Sequence, residues 1–297
     1  MSETNVKHAV DTVVAGTDFS LRSLDAVNWA FSWLAPDAKC TLVHALEVPR
    51  EPRFLRGALP NRDEIVEREH TAAVERLNAL IAEHGWKNVS VEVREGRPER
   101  VIADVATDVS ADLVIVGEHS RPRSIWSTLG STAEALVRSS PVPVLLARNV
   151  SDHAPRHILV PLDDSEPALA ALRLASSLAR TYGAHTTVYH GFRPVYLNIA
   201  ESVSGMAASK RLRHEQLKQA EGWAEEQVRG VPFAQDALTI HVQESDAATG
   251  IIAMQRGSDV DLIVMGSSGA GGAGRLLLGS VADSVLRGAT CPVLVVR

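Results

Sequence analysis

The sequence predicts an α/β protein made of two tandem, doubly wound parallel-sheet sandwiches of five strands each. Three observations carry this reading. Short apolar runs alternate with longer stretches of helical periodicity, the pattern of strands joined by crossover helices. The runs themselves lack in–out alternation, as strands covered on both faces do. And the chain is one sequence written twice: Asp112-Leu113-Val114-Ile115-Val116-Gly117 returns as Asp261-Leu262-Ile263-Val264-Met265-Gly266. Leu129-Gly130-Ser131 returns as Leu278-Gly279-Ser280, and Pro143-Val144-Leu145-Leu146 as Pro292-Val293-Leu294-Val295, the offset staying between 145 and 149. The copies span 1–149 and 156–297, with a linker near Asn149–Arg156 marked by Ser151, Asp152 and Pro155.

In copy one the strand-like runs are Thr12–Thr17, Thr41–Leu46, Val89–Val93, Leu113–Gly117 and Val144–Ala147. Helical patterns lie between them at Ser20–Leu34, Arg62–His84, Pro98–Asp108 and Ser131–Ser139. Ser20 gives the first helix a polar start, and Pro98 suits a first-turn position. Copy two repeats the strands near Ile158–Leu162, Thr187–Gly191, Leu238–Val242, Leu262–Gly266 and Val293–Val296. Two segments repeat poorly. Pro49–Pro60 carries Arg50, Arg53 and Arg56 among prolines, and Phe192–Ala208 reads as a loop rich in small residues. Both follow a second strand, so both belong at the ligand edge, as lids or as surface loops without a role.

Composition narrows the class. Hydrophobic residues make up 45% and charged residues 22%, ordinary for a globular protein, and the net charge of −6 argues against a non-specific nucleic-acid binder. No apolar run approaches the roughly 20 residues of a membrane span, and the first residues lack the blocks of a signal peptide. Cys40 and Cys291 stand far apart inside apolar runs, as buried reduced thiols of a cytoplasmic protein do.

The chemistry centres on Asp261–Val281. A buried strand opens at Gly266 into a glycine-dense loop, Gly266-x2-Gly269-x9-Gly279-Ser280, and a helix restarts there. Backbone amides and a helix N-terminus in that arrangement hold phosphate, and glycines admit close approach and positive φ. Asp163, at the end of the first strand of copy two, stands at the same sheet edge, as a ligand carboxylate or as part of the cap of the helix after Ser165. Ser280 fits an N-cap, an anion contact, or both; Arg275 fits phosphate neutralisation or solvation. In copy one Ser120 replaces the second glycine, and Glu118 puts a carboxylate where phosphate would lie, with Arg121 and Arg123 to offset it. Weaker or absent binding is expected there. There is no Gly-x4-Gly-Lys-[Ser/Thr] P-loop and no Gly-x-Ser-x-Gly nucleophile elbow. His44 and His190 read as packed or hydrogen-bonded.

The glycine spacing, Asp163 and the final strand Pro292–Val296 together resemble the universal stress protein family over nearly the whole chain. The resemblance implies an adenine nucleotide alpha hydrolase-like fold, with the loop holding the phosphates and ribose of ATP and the strand-end Asp and nearby backbone contacting the adenine. By position it implicates Pro161, Leu162, Asp163 and Gly191, then Met265, Gly266, Ser268 and Gly269, then Gly279, Ser280, Val281 and Ala282. In copy one the same positions are Gly16, Thr17, Asp18 and Ala45, then Val116, Gly117 and His119, then Gly130, Ser131 and Thr132. It also implies pairing of the copies through their last strands, an internal pseudo-dimer, and a further homodimer. The expectation is therefore a protein of stress adaptation that holds ATP, with or without Mg2+, without fast turnover, and with no protein metal site. The alternatives are a slow ATPase or nucleotidyl-transfer enzyme, and a nucleotide-independent interaction module.

Overall fold

A computed structural model describes residues 10–48, 61–118, 129–234, 236–269 and 278–297. The chain divides into two compact units, Met1–Ala154 and Pro155–Arg297.

In the first unit the elements run β1 (Thr12–Gly16), α1 (Leu21–Trp29, continued as a π-helical turn over Ala30–Leu34), β2 (Lys39–Leu46), α2 (Arg62–His84), β3 (Val89–Glu95), α3 (Pro98–Asp108), β4 (Leu113–Gly117), α4 (Ser131–Ser139) and β5 (Val144–Ala147). Their sheet order is β3-β2-β1-β4-β5, and each pairing is parallel. The second unit runs β6 (His157–Pro161), α5 (Glu166–Tyr182), β7 (His185–Phe192), α6 (Leu197–Ser204), α7 (Met206–Val228), β8 (Leu238–Glu244), α8 (Ala247–Gly257), β9 (Leu262–Gly266), α9 (Ser280–Gly288) and β10 (Val293–Val296). Its order is β8-β7-β6-β9-β10, again parallel.

The central strands are buried throughout because helices cover both faces: Val13, Val14, Leu113 and Ile115 in one unit, Ile158, Leu159, Leu262 and Ile263 in the other, are all at most 1% exposed. The repeated aspartates before the fourth strands hold the sheets in register. Asp112 Oδ2 accepts the amides of Asp11 and Thr12, and Asp261 Oδ2 accepts those of Arg156 and His157. Each carboxylate thus ties the start of its first strand to its fourth. The ends that matter for the site are capped locally. Ser165 Oγ accepts Ala168 N–H at the start of α5, and Asp246 accepts Thr249 N–H at the start of α8. Both cysteines are buried and free, and burial pushes the Cys40 thiol up to about 12.

Two expectations change. The helix anticipated over Ser20–Leu34 leaves α geometry at Ala30, where Ala35 N–H reaches back five residues to Ala30 O. Ala35 precedes Pro36, which disfavours the α conformation at Ala35 and ends the helical turn there. Phe192–Ala208 is not a loop: it contains all of α6 and the start of α7. Its small residues masked a helical spacing of Leu197, Ala200 and Val203. Packing of α6 on α7 then stabilises a segment too short to hold as an isolated helix. The expected lid at Pro49–Pro60 lies outside the described residues.

Candidate functional site

In the second unit the chain runs outward from β6 through β7 to β8, then returns to β9 and β10 on the other side of β6. The strand order therefore reverses between β6 and β9, where a crevice opens beyond their C-terminal ends. Gly266 ends β9 directly under α5. A Cβ there would lie 2.7 Å from Ala168 N and 2.8 Å from Pro167 C. A Cβ on Gly269 would lie 2.7 Å from Asp163 Oδ2, and one on Gly279 3.2 Å from Ser268 Cα. None of the three has positive φ. The expectation that the loop needs glycine for left-handed backbone is thus replaced at these positions: close approach of neighbouring chain is what excludes a side chain.

Asp163 and Ser165 act as a pair. Ser165 N–H and Oγ–H both face Asp163 Oδ1, at 3.1 and 2.5 Å, while Ser165 Oγ also lies 3.1 Å from Ser268 O. Ser165 is the cap and Asp163 braces it, leaving Oδ2 on the Gly269 side. Ser280 is not an N-cap: Gly279 takes that position, and Ser280 is the first helical residue. Gly279 N–H donates to Ser267 O at 2.8 Å, and Asp283 N–H makes the first intrahelical bond, to Gly279 O. The amides of Ser280, Val281 and Ala282 are then the first-turn donors that a helix leaves without partners of its own, and no side chain caps them. With the helix dipole behind them they make an end whose charge suits an anion.

The opposite end is built by β7 and α8. Leu162 N–H donates to Tyr189 O at 2.8 Å, so Tyr189 faces β6. Two residues on, Gly191 turns its N–H and C=O to that same side, where β6 has already ended. One donor and one acceptor thus face the crevice, and a Cβ on Gly191 would stand 3.0 Å from Ser245 Oγ. The Tyr189 hydroxyl pairs with Ser245 Oγ at 2.6 Å beneath α8, where only glycine at 250 leaves it room. His190 Nδ1 lies 2.8 Å from Leu162 O; a carbonyl only accepts, so Nδ1 carries the proton. Its ring leans on Trp223 at 4.6 Å.

Together these groups enclose a cavity of about 390 Å³. Pro161, Leu162, Asp163 and Gly191 line one side. Met265, Gly266, Ser268 and Gly269 line the floor, and Gly279, Ser280, Val281 and Ala282 close the anion end. All twelve copy-two positions singled out from the sequence meet here. Arg275 lies outside the described residues.

Copy one is built differently at the same edge. Phe19, in the position of Asp164, adopts φ +63° and packs its ring at a tilt against His44 at 4.4 Å, with the Arg76 guanidinium 4.2 Å above its ring. Thr17 Oγ1 is held by Ser23 Oγ at 2.9 Å and accepts Phe19 N–H, and Asp18 Oδ1 accepts Ser20 N–H. Ile102 Cδ1 lies 2.5 Å from where a Cβ of Gly16 would be, and Ala45 stands where copy two has Gly191. Val116 and Gly117 end β4 as Met265 and Gly266 end β9. Gly130 again caps a helix, α4, whose first turn holds Ser131 and Thr132. Glu118, expected to oppose phosphate, is instead half-buried and paired with the buried Arg148 at 3.2 Å. Its charge is compensated within the sheet edge, which corrects that expectation. His119, Ser120, Arg121 and Arg123 lie outside the described residues.

The family model described as the universal stress protein family matches residues 9–148 and again 155–297. The chain belongs to that family. A universal stress protein of Thermus aquaticus is 36% identical over 140 residues, 47% of this chain and 97% of its own length. One from Mycolicibacterium smegmatis is 27% identical over 299 residues, covering 96% of both chains. Among solved structures, a universal stress protein from Archaeoglobus fulgidus superimposes over 96% of this chain and 98% of its own, with TM-score 0.64 at 19% identity, a likeness of fold.

Within this universal stress protein, sequence reasoning missed five pocket residues: Ala168, Tyr189, His190, Ala247 and Ile251. Ala168 belongs to the turn of α5 that crosses Gly266. Tyr189 and His190 sit just inside the strand end whose Gly191 was identified. Ala247 and Ile251, four apart at the start of α8, carried the one readable signal, since that helix begins at the same sheet edge. Among the described residues no group of His, Cys, Asp and Glu could hold a metal, and no helix is long and apolar enough to cross a membrane.

Proposed function

We propose that this universal stress protein binds ATP in its C-terminal unit and holds it without fast turnover, as a regulatory component of stress adaptation. The observation that carries the reading is the two-ended cavity itself. At one end three first-turn amides of α9 have no side-chain cap. At the other, Gly191 offers a donor and an acceptor to the edge of a base, and Asp163 lies between. Its volume of about 390 Å³ falls in the usual range of small-molecule sites, roughly 300–1,000 Å³. A triphosphate fits the amide end by charge. Mg2+ would be carried mainly by phosphate oxygens and water, with Asp163 the one carboxylate at the cavity wall.

The same reading makes the N-terminal unit a poor nucleotide site. There Phe19 lies over the imidazole whose counterpart, His190, lines the cavity in the C-terminal unit.

Titration calorimetry with ATP should give one site per chain. Gly269→Asp, which forces a second carboxylate against Asp163 and into the path of the phosphates, should weaken binding at least about 100-fold. Full-strength binding by that variant, or none by the wild type, refutes the assignment. Phosphate release indistinguishable from buffer supports holding over hydrolysis; steady release lost in Asp163→Ala would favour a slow ATPase instead.

A further inference from the structure

Most large hydrophobic side chains that remain exposed among the described residues fall in one stretch. Val195, Tyr196, Ile199, Val203 and Met206 are between 54% and 79% exposed. Tyr196, Ile199 and Val203 follow at steps of three and four, so they form a single stripe along α6, and Met206 starts α7 just beyond Gly205. No residue of α6 is buried. A stripe of this kind on a soluble surface marks something it covers or docks onto.

Three further features say what it covers. First, α6 lies between two unusual backbone positions. Tyr196 has φ +61° and ψ 10°, which a tyrosine rarely adopts. Gly205 has φ +84° and ψ 171°, a region open essentially to glycine alone. Second, the segment is pinned just before the first of these. Gln216 Nε2 donates to Val195 O and its Oε1 accepts Val195 N–H, both at 2.9 Å. Third, the root of the segment is the rim of the cavity. Gly191 lines the cavity, and two residues later Arg193 pairs with Asp246 at 2.6 Å. Asp246 caps α8, whose first residue, Ala247, lines the cavity too.

We infer that α6 is a hinged lid that folds its apolar stripe over the ligand in the C-terminal cavity. The inference rests on the nucleotide reading of that cavity. The dimensions of α6 suit a lid, since eight helical residues span about 12 Å, enough to cross the mouth of such a cavity. Tyr196 and Gly205 are the pivots, and the Gln216 clasp and the Arg193–Asp246 pair fix the base. The base of a nucleotide offers the flat apolar face such a stripe would cover.

The test uses the full chain with ATP. Hydrogen exchange of amides 197–204 should slow about tenfold or more when ATP is added. In stopped-flow displacement, the double variant Ile199→Asp/Val203→Asp should release ATP about tenfold faster with an association rate within about twofold of wild type. Glu201→Gln, a change off the stripe, should release ATP at the wild-type rate. If the wild type binds no ATP, the nucleotide reading and the lid fall together. If it binds ATP but exchange at 197–204 and the release rate of the double variant are unchanged, the lid alone is overturned and the cavity stands. A change of oligomeric state in the double variant at unchanged release rate would make the stripe a docking ridge and likewise overturn the lid. Because no α6 residue is buried, the aspartates should leave the fold intact, and the exchange measurement on wild type decides the matter even if they do not.

Discussion

The two units start from the same strand register and the same aspartate tie, yet they finish their ligand edges in opposite ways. At the C-terminal edge Asp164 is exposed, Gly191 leaves the strand end bare, and His190 faces a cavity with Trp223 behind it. At the N-terminal edge Phe19 takes the place of Asp164 and lies between His44 and Arg76, and Ile102 packs on Gly16. The pairs His44/His190 and Gly117/Gly266 have equivalent contacts in both: each imidazole bonds the carbonyl at the end of the first strand, and each glycine receives the start of the following helix. What differs lies on the open side. The glycine of the fourth strand therefore serves the fold, and the residues around it decide whether a ligand has room.

The largest effect should come from testing that division. Gly266→Ala drives a methyl to 2.7 Å from the α5 backbone, whereas at Gly117 the nearest atoms are at 3.2 Å. Overpacking against main chain predicts a loss of about 2–3 kcal/mol for Gly266→Ala and about 1 kcal/mol for Gly117→Ala. Urea unfolding monitored unit by unit through hydrogen exchange should separate them. Equal losses would mean that the difference in clearance at the two glycines does not set the cost.

A smaller change should transplant the N-terminal plug. Asp164→Phe introduces a ring at the position from which Phe19 covers His44. ATP affinity should fall about tenfold, which is about 1.4 kcal/mol, with little change in stability. Calorimetry decides; undiminished affinity would show that the ring at this position does not obstruct the cavity.

The smallest effect concerns the opposite end of the sheet. Thr12 in one unit corresponds to His157 in the other, both tied to an aspartate through their amides. Burial, helped by the nearby His185, holds the His157 pKa below its ordinary value. The folded unit thus favours neutral imidazole, while the unfolded chain takes up a proton near pH 6.5. Stability from this group is full above about pH 6.5 and is lost as pH falls from there toward the folded value. Between pH 7.5 and 5 the C-terminal unit should lose slightly more stability than the His157→Thr variant does. Parallel pH profiles for the two proteins would exclude the effect.

Much of this was legible in the residues. Leu113–Gly117, Val144–Ala147, Leu262–Gly266 and Val293–Val296 are apolar on both faces, so their limits follow from composition alone. Arg62–His84 and Pro98–Asp108 are bounded by residues that start and stop helices. The copy-two site was legible because Gly266, Gly269, Gly279 and Asp163 occur at spacings that a strand, loop and helix must bring to one edge. What escaped depended on contact across the fold. Tyr189 reaches the cavity because Gly250 on another element makes room, and Phe19 is held where it is because His44 and Arg76 flank it. The shape of α6 depended on α7 to brace it.

By itself the sequence determined the two copies, the parallel strand pattern and the sheet edge at which Asp163 and the glycines of the second copy gather, because these follow from periodicity and repetition along the chain. Only the tertiary structure decided why the glycines are glycines, what becomes of the Glu118 charge, and where Phe19 and Tyr189 lie. Those outcomes are set by distances of about 3 Å between atoms far apart in sequence, and no pattern along one strand or helix encodes them.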